Sequence, residues 1–304
     1  MTCRKCRETP VIHLPNSNIS LCKKCFLRYF EKKVRKTVRI YKLFNKGDTV
    51  GIALSGGKDS MVTLNILKSL AEQQRTTKII AIAIDEGIKG YRDETLKFAK
   101  KFCEENQIPL KITSYKKEFG MTLDQILKKL EIKPCSVCGV FRRYLLNKEA
   151  QRNKIDILAT GHNLDDETQT ILMNQFRNNV AASSRLGPLT GIKDDKKFIR
   201  RIKPLYFLTE KEIMTYAFIK ELATPFNECP YAENSFRGKV RDALNKLNSE
   251  YPSTKNSIIH SFLETLPLLK ESYKKQDISY CNTCGEPTSK EKCQTCKYLE
   301  LIKK

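Results

Sequence analysis

The sequence predicts an α/β protein, a doubly wound parallel sheet flanked by N- and C-terminal zinc-binding modules. Short apolar runs alternate with helix-period segments through the middle of the chain, a double-glycine turn joins the first run to its helix, and paired cysteines stand at both ends. A length of 304 residues suits one large domain with small appendages. With 40% hydrophobic and 30% charged residues, general disorder is excluded.

Residues 1–25 read Cys3-x2-Cys6, fifteen intervening residues, then Cys22-x2-Cys25. This spacing lets two knuckles converge on one tetrahedral zinc. Four thiolates leave no open coordination position, so the site is expected to fold the chain and not to catalyse. The flanking Arg4, Lys5, Lys23 and Lys24 argue against a merely buried apolar cluster.

Residues 26–46 carry Phe26, Phe30, Val34, Val38 and Tyr41 at helical spacing, with Arg28, Lys32, Arg35, Arg39 and Lys42 as a second stripe. An amphipathic helix with a basic face follows. Residues 1–46 hold thirteen basic side chains against two acids, which is half of the chain's formal net charge of +22. A solvated helix face usually mixes signs, so binding to a phosphate backbone is the favoured reading, with strong salt dependence.

Residues 47–230 are expected to form the catalytic domain. Strands are predicted at 49–54, 78–84, 110–114 and 155–160, with helices from about 59 and over 91–105, 122–130 and 165–175. The turn after the first strand is Ser55-Gly56-Gly57-Lys58-Asp59-Ser60. Its glycines let backbone N–H groups approach a phosphate, and the following helix N-terminus and Lys58 add positive potential. The spacing differs from that of the common nucleoside-triphosphatase P-loop. Helices are predicted near 210–220, 236–248 and 253–270. A helical segment over 231–277 then leads to a zinc ribbon over 278–304, built on Cys281-x2-Cys284, eight residues, and Cys293-x2-Cys296. Cys103, on the apolar face of its predicted helix, reads as core packing. No apolar run approaches the ~18 residues of a membrane span, and the N-terminus leads into no signal-like stretch, so a cytoplasmic protein without membrane contact is expected.

The Ser55–Ser60 turn resembles the PP-loop of the N-type ATP pyrophosphatases. Four further features narrow the resemblance to the tRNA thiolases of the TtcA/TtuA superfamily. They are Pro134-Cys135-Ser136-Val137-Cys138-Gly139 followed by Arg142 and Arg143; Thr160-Gly161-His162-Asn163-Leu164-Asp165-Asp166-Glu167; Arg201-Ile202-Lys203-Pro204-Leu205; and Glu228-Cys229-Pro230-Tyr231. Zinc modules at both ends point to the TtuA branch and its archaeal and eukaryotic relatives that thiolate the wobble uridine.

The resemblance implies an ATP-dependent tRNA 2-thiouridine synthase. Oxide leaves a pyrimidine poorly, so ATP first converts uridine O2 into a phosphate ester, with Lys58 offsetting the growing charge. Nucleotide contacts are implied at Ala53, Leu54, Ser55, Gly56, Gly57, Lys58, Asp59, Ser60, Ile84, Asp85, Gly161 and Asp166, with Mg2+ held partly by Asp59 or Asp166. Asp85 reads equally as a capping acid. Cys135, Cys138 and Cys229 would deliver sulfur, either as ligands of a [4Fe-4S] cluster with one open iron, which is favoured, or through a persulfide. Arg142 is expected to clamp phosphate or a uridine oxyanion, because a guanidinium does not readily give up a proton. A homodimer, and a ubiquitin-like thiocarboxylate carrier or free sulfide as sulfur donor, follow from the resemblance alone. The motifs leave open whether the wobble or the T-loop uridine is modified. The rival reading is a non-catalytic zinc-ribbon RNA-binding protein.

Overall fold

The structure is a computed structural model that describes residues 2–193, 195, 197–222, 229–231, 236–274 and 278–303. Glu228 of the fourth signature lies outside the described residues.

The N-terminal module is a hairpin of β1 (Ile12–Leu14) and β2 (Ile19–Leu21), followed by α1 (Lys23–Ile40). Cys25 lies in the first turn of α1, so the zinc knuckle and the basic helix are continuous. Phe26, Phe30 and Val34 are fully buried, and Phe30 stacks on Tyr216 at 4.2 Å. The helix stops at Ile40, short of the expected 46. Lys42 takes a left-handed conformation (φ 46°), and the Leu43 N–H reaches back to the Val38 carbonyl at 3.0 Å. That turn closes the helix C-terminus. Lys42 is therefore exposed beyond the helix and not part of its basic stripe.

The core alternates β3 (Thr49–Ala53), α2 (Lys58–Gln74), β4 (Lys78–Asp85), α3 (Arg92–Glu105), β5 (Leu110–Ser114), α4 (Tyr115–Phe119), α5 (Leu123–Lys129), α6 (Pro134–Arg152), β6 (Ile157–Ala159), α7 (Leu164–Phe176), α8 (Val180–Ser183) and β7 (Arg201–Ile202). The strands pair in parallel in the order β5-β4-β3-β6-β7, with Gly51 opposite both Ile80 and Leu158. One face buries Val50, Ile52 and Ala81 against α1, α2 and α9 (Glu210–Ile219). The other buries Ile82, Ile84 and Leu158 against α6. Burial on both faces explains the nearly continuous apolar strands. The order reverses between β3 and β6, and such a switch point opens a crevice at the carboxyl ends of the strands.

Helix α6, over Pro134–Arg152, is an element that the expected helices did not include. Pro134 occupies its first turn, where a missing N–H costs little, and Val137, Phe141 and Leu145 recur every four residues on its buried side. After α9 come α10 (Phe236–Glu250) and α11 (Thr254–Tyr273). The C-terminal module comprises the hairpin β8 (Ser279–Tyr280) and β9 (Pro287–Thr288), then α12 (Gln294–Lys303). It docks on α6, with Tyr298 edge-on to Phe141 at 6.1 Å and Glu286 accepting from the Asn147 amide at 2.7 Å. Cys103 is buried in the core, and burial raises its thiol to about 11. No described helix is long and apolar enough to cross a membrane.

Candidate active site

The β3–α2 turn is shaped by its own hydroxyls. The Ser55 N–H donates to Ser60 Oγ at 3.2 Å, Gly57 N–H to Ser55 Oγ at 3.3 Å, and the Ser60 hydroxyl to the Gly57 carbonyl at 2.9 Å. Gly56 has φ +83°, and a Cβ there would stand 2.3 Å from the Thr95 carbonyl oxygen, so only glycine fits. Lys58 opens α2 and pairs with Asp59 at 3.2 Å and Glu210 at 3.0 Å. Burial opposes its charge, but these carboxylates outweigh burial and raise its pKa. Its ammonium is engaged by Glu210 and does not line the cleft described next.

The β6–α7 turn forms the facing wall. Asn163 caps α7 in a reciprocal box with Asp166, and its amide also donates to Asp59 Oδ1 at 3.1 Å. Burial, together with the nearby Asp59, raises the Asp166 carboxyl to about 6. Two acids held this close suit a divalent cation. His162 is exposed on the cleft wall, and crowding by its neighbours together with the cations Lys203, Arg237, Arg201 and Arg143 lowers its imidazole below the ordinary value. Its ring is neutral near pH 7 and hydrogen-bonds Thr160 at 2.9 Å.

Between these walls lies a cleft of about 280 Å³ lined by Ala53, Leu54, Ser55, Ile84, Gly161 and Asp166, among others. Its remaining side is cationic, formed by Arg142, Arg143 and Arg201. Burial and then the proximity of Arg143 depress Arg201 to about 10, and neither of these two has a carboxylate partner among the described residues. A polyanion would relieve that repulsion.

The cysteine motif opens α6 beside this cationic side. Cys135 Sγ lies 3.5 Å from the Tyr231 carbonyl. Cys138 is buried, and its sulfur receives Arg142 Nη2 at 3.1 Å and the Tyr115 hydroxyl at 3.7 Å. Burial raises the Cys138 and Cys229 thiols, and each also feels a neighbouring cysteine, Cys229 for Cys138 and Cys135 for Cys229. Cys229 and Tyr231 pack against the apolar cluster that holds Cys138, which brings two segments about ninety residues apart to the start of α6, although the three sulfurs do not form a group within 4.8 Å of one another. Three soft thiolate donors match the ligand chemistry of an iron–sulfur cluster, which spreads its cysteines more widely than a single ion does.

The chain is similar to known proteins in both sequence and fold. A sequence family described as "PP-loop domain" matches residues 28–247, and one described as "2-thiouridine synthetase TtuA, N-terminal LIM domain" matches residues 2–27. The chain is 39% identical to "Cytoplasmic tRNA 2-thiolation protein 1" of Danio rerio, an alignment covering 98% of this chain and 87% of that protein. The chain belongs to the PP-loop tRNA 2-thiolation family. A "Probable sulfurtransferase" of Methanocaldococcus jannaschii is 40% identical over 94% of this chain and 84% of its own. Among solved structures, "U34-tRNA thiolase NcsA from Methanococcus maripaludis with its [4Fe-4S] cluster" superposes with a TM-score of 0.86 at 36% identity, covering 99% of this chain and 96% of that one.

Within the family frame, the terminal cysteines fall into two groups, Cys3, Cys6, Cys22 and Cys25, and Cys281, Cys284, Cys293 and Cys296. In each the sulfurs all lie within 4.8 Å of one another, close enough to hold one metal ion. Backbone N–H groups outweigh burial and lower the Cys281 thiol to about 6, whereas burial raises Cys284 and Cys296. Asp85, expected near the nucleotide or as a helix-capping acid, does not line the cleft and caps no helix: its Oδ1 accepts from the Gly87 N–H at 2.8 Å within the loop, while α3 begins after Tyr91. The acid that reaches the cleft is its neighbour Glu86. Sequence reasoning missed Glu86 and Arg92, whose only local signal is their position just past the carboxyl end of β4.

Proposed function

We propose that this chain is an ATP-dependent tRNA 2-thiouridine synthase acting on the wobble uridine. The observation that carries the reading is that the glycine turn lines a cationic cleft whose Arg142 also reaches the Cys138 sulfur, at 3.1 Å. In this reading uridine O2 attacks the α-phosphate of ATP, an O–P bond forms, and pyrophosphate departs toward Gly56, Gly57 and Ser60. Asp59 and Asp166 would hold Mg2+ against the phosphates. Arg143 and Arg201 would stabilise the charge that develops, since they meet it without reorganisation in an enclosed site. Arg142 would orient the sulfur side and would not supply a proton.

Cys135, Cys138 and Cys229 would hold a [4Fe-4S] cluster, which would supply sulfur in nucleophilic form. The C2–S bond then forms as the C2–O bond breaks, and AMP leaves with the oxygen. The target base must leave its stack to enter the cleft. The exposed Arg28, Lys32, Arg35 and Arg39 on α1, with Lys42 just beyond it, would grip the tRNA backbone. The two terminal cysteine groups would hold structural zinc.

The test is anaerobic reconstitution followed by metal analysis and nucleoside mass spectrometry of modified tRNA. About two zinc and four iron per chain, with sulfur at the wobble position, are expected. Cys135→Ala should abolish thiolation while leaving zinc content and tRNA affinity near those of the parent chain. Sulfur transfer that survives this change would refute the assignment of the cysteines.

A further inference from the structure

A continuous line of polar contacts runs from the glycine turn to the thiol pocket, and its midpoint is a carboxylate without an assigned role. The Arg92 guanidinium donates to the Ser55 carbonyl in the turn and to the Ile84 carbonyl at 3.0 and 2.6 Å. Its Nε also pairs with Glu86 Oε2 at 2.9 Å. The other oxygen, Glu86 Oε1, pairs with Arg142 Nε at 2.7 Å, and Arg142 Nη2 reaches the Cys138 sulfur at 3.1 Å. Glu86 and Arg92 are almost fully buried, at 3% and 4% exposure, so solvent does little to screen the pair.

We propose that Glu86 is a positioning residue that fixes the nucleotide turn and the sulfur site in one geometry. It does so by holding Arg92 under the Ser55 carbonyl and Arg142 against Cys138. The inference rests on the ATP-dependent thiolation reading. A bidentate carboxylate is needed because each oxygen serves a different guanidinium, and two guanidiniums at this separation would otherwise repel. Arg92 reinforces the turn from outside: its hydroxyl neighbour Thr95 lies at 3.2 Å, and the Thr95 carbonyl is the atom that forbids a side chain at Gly56.

Charge alone and positioning predict opposite signs. Glu86 lines the cleft, so removing its negative charge would tighten the binding of anionic ATP if it acted only through the field. If it positions Arg92, the same change loosens the turn and weakens ATP binding. Glu86→Gln preserves volume while removing the charge. The iron-free chain should bind Mg·ATP about tenfold more weakly by calorimetry, and the reconstituted chain should lose iron to a chelator several times faster. Neither readout depends on turnover.

Glu118→Gln serves as a control, because Glu118 also holds two cations, Lys148 at 2.8 Å and Arg152 at 2.8 Å, but outside the cleft. It should alter neither readout. Should Glu86→Gln fail to fold, Glu86→Asp keeps the charge but is too short to reach both guanidiniums, and at least one readout should fall. ATP binding that is unchanged or tighter in folded Glu86→Gln would overturn the proposal, as would parental values for both readouts in Glu86→Asp. A parent chain that binds no ATP would instead overturn the functional reading itself.

Discussion

Gly161 packs directly on Asp59: a Cβ at Gly161 would lie 2.8 Å from the Asp59 carbonyl carbon and 2.9 Å from the Ser60 nitrogen. The turn after β6 therefore touches the start of α2 backbone to backbone, and this contact sets the width of the nucleotide cleft. Gly161→Ala would push the two turns apart, because the opposing atoms are main chain and cannot rotate away. Expected losses are about tenfold in ATP affinity and about 1–3 kcal/mol in stability. An ATP titration and a denaturant melt check both, and parental values for each would show that the contact does not set the cleft.

The N-terminal thiol group should be a folding element. Cys22 Sγ lies 3.3 Å from Cys6, and the cluster is continuous with the helix whose Phe26 and Phe30 are fully buried. Cys22→Ser should lower zinc content by about one equivalent per chain and expose the hairpin to protease. Metal analysis beside limited proteolysis reads both effects. Full zinc occupancy in the variant would contradict a four-thiolate site.

The basic stripe on α1 should act through phosphate contacts. Arg35 has one weak intrahelical partner, Glu31 at 3.9 Å, and is exposed, as is Arg39. Replacing both with Gln should weaken tRNA binding and reduce the slope of log affinity against log salt by about 1–2. A slope identical to that of the parent chain would place the RNA elsewhere.

Acid stability should carry a signature of Glu118. Its hydrogen bond from Arg152 and the charge of Lys148 lower its carboxyl to about 2, from an ordinary value of 4.5. A lowered carboxylate stabilises the fold above its unfolded value, and that stability is lost as pH falls through the folded one. Arg152 and Lys148 are 45% and 34% exposed, so screening reduces the benefit to about 1–2 kcal/mol at neutral pH. Glu118→Gln should cost that much above pH ~5 and converge with the parent chain near pH ~2. A difference constant across this range would assign the effect to packing.

Four strands of the sheet were readable because each is a short apolar run bounded by turn chemistry, and the strand–helix alternation admits few topologies, whereas the two-residue edge strand β7, Arg201–Ile202, carries no such run. Ala81 to Ile84, buried on both faces, shows no alternation, as expected of an interior parallel strand. The end of α1 was not readable, because apolar spacing continues to Tyr41 while the bond from Leu43 to Val38 ends the helix. The adjacent acids Asp85 and Glu86 are equivalent in local sequence, and only the fold decides that one caps a turn while the other joins two arginines. Arg143 and Arg201 are brought together across 58 residues by the pairing of β6 with β7, which no local pattern reports.

The docking of Tyr298 on Phe141 gives the far tail a mechanical say in the chemistry. Helix α6 presents Cys135 and Cys138 at its front, while the C-terminal cysteine knuckle grips it along its flank like a splint. Stripping that rear fastening would slacken the sulfur-bearing helix yet spare the turns around the nucleotide. Sulfur insertion would then fade while ATP is still bound, a divergence that paired assays on a Cys296→Ser chain would reveal.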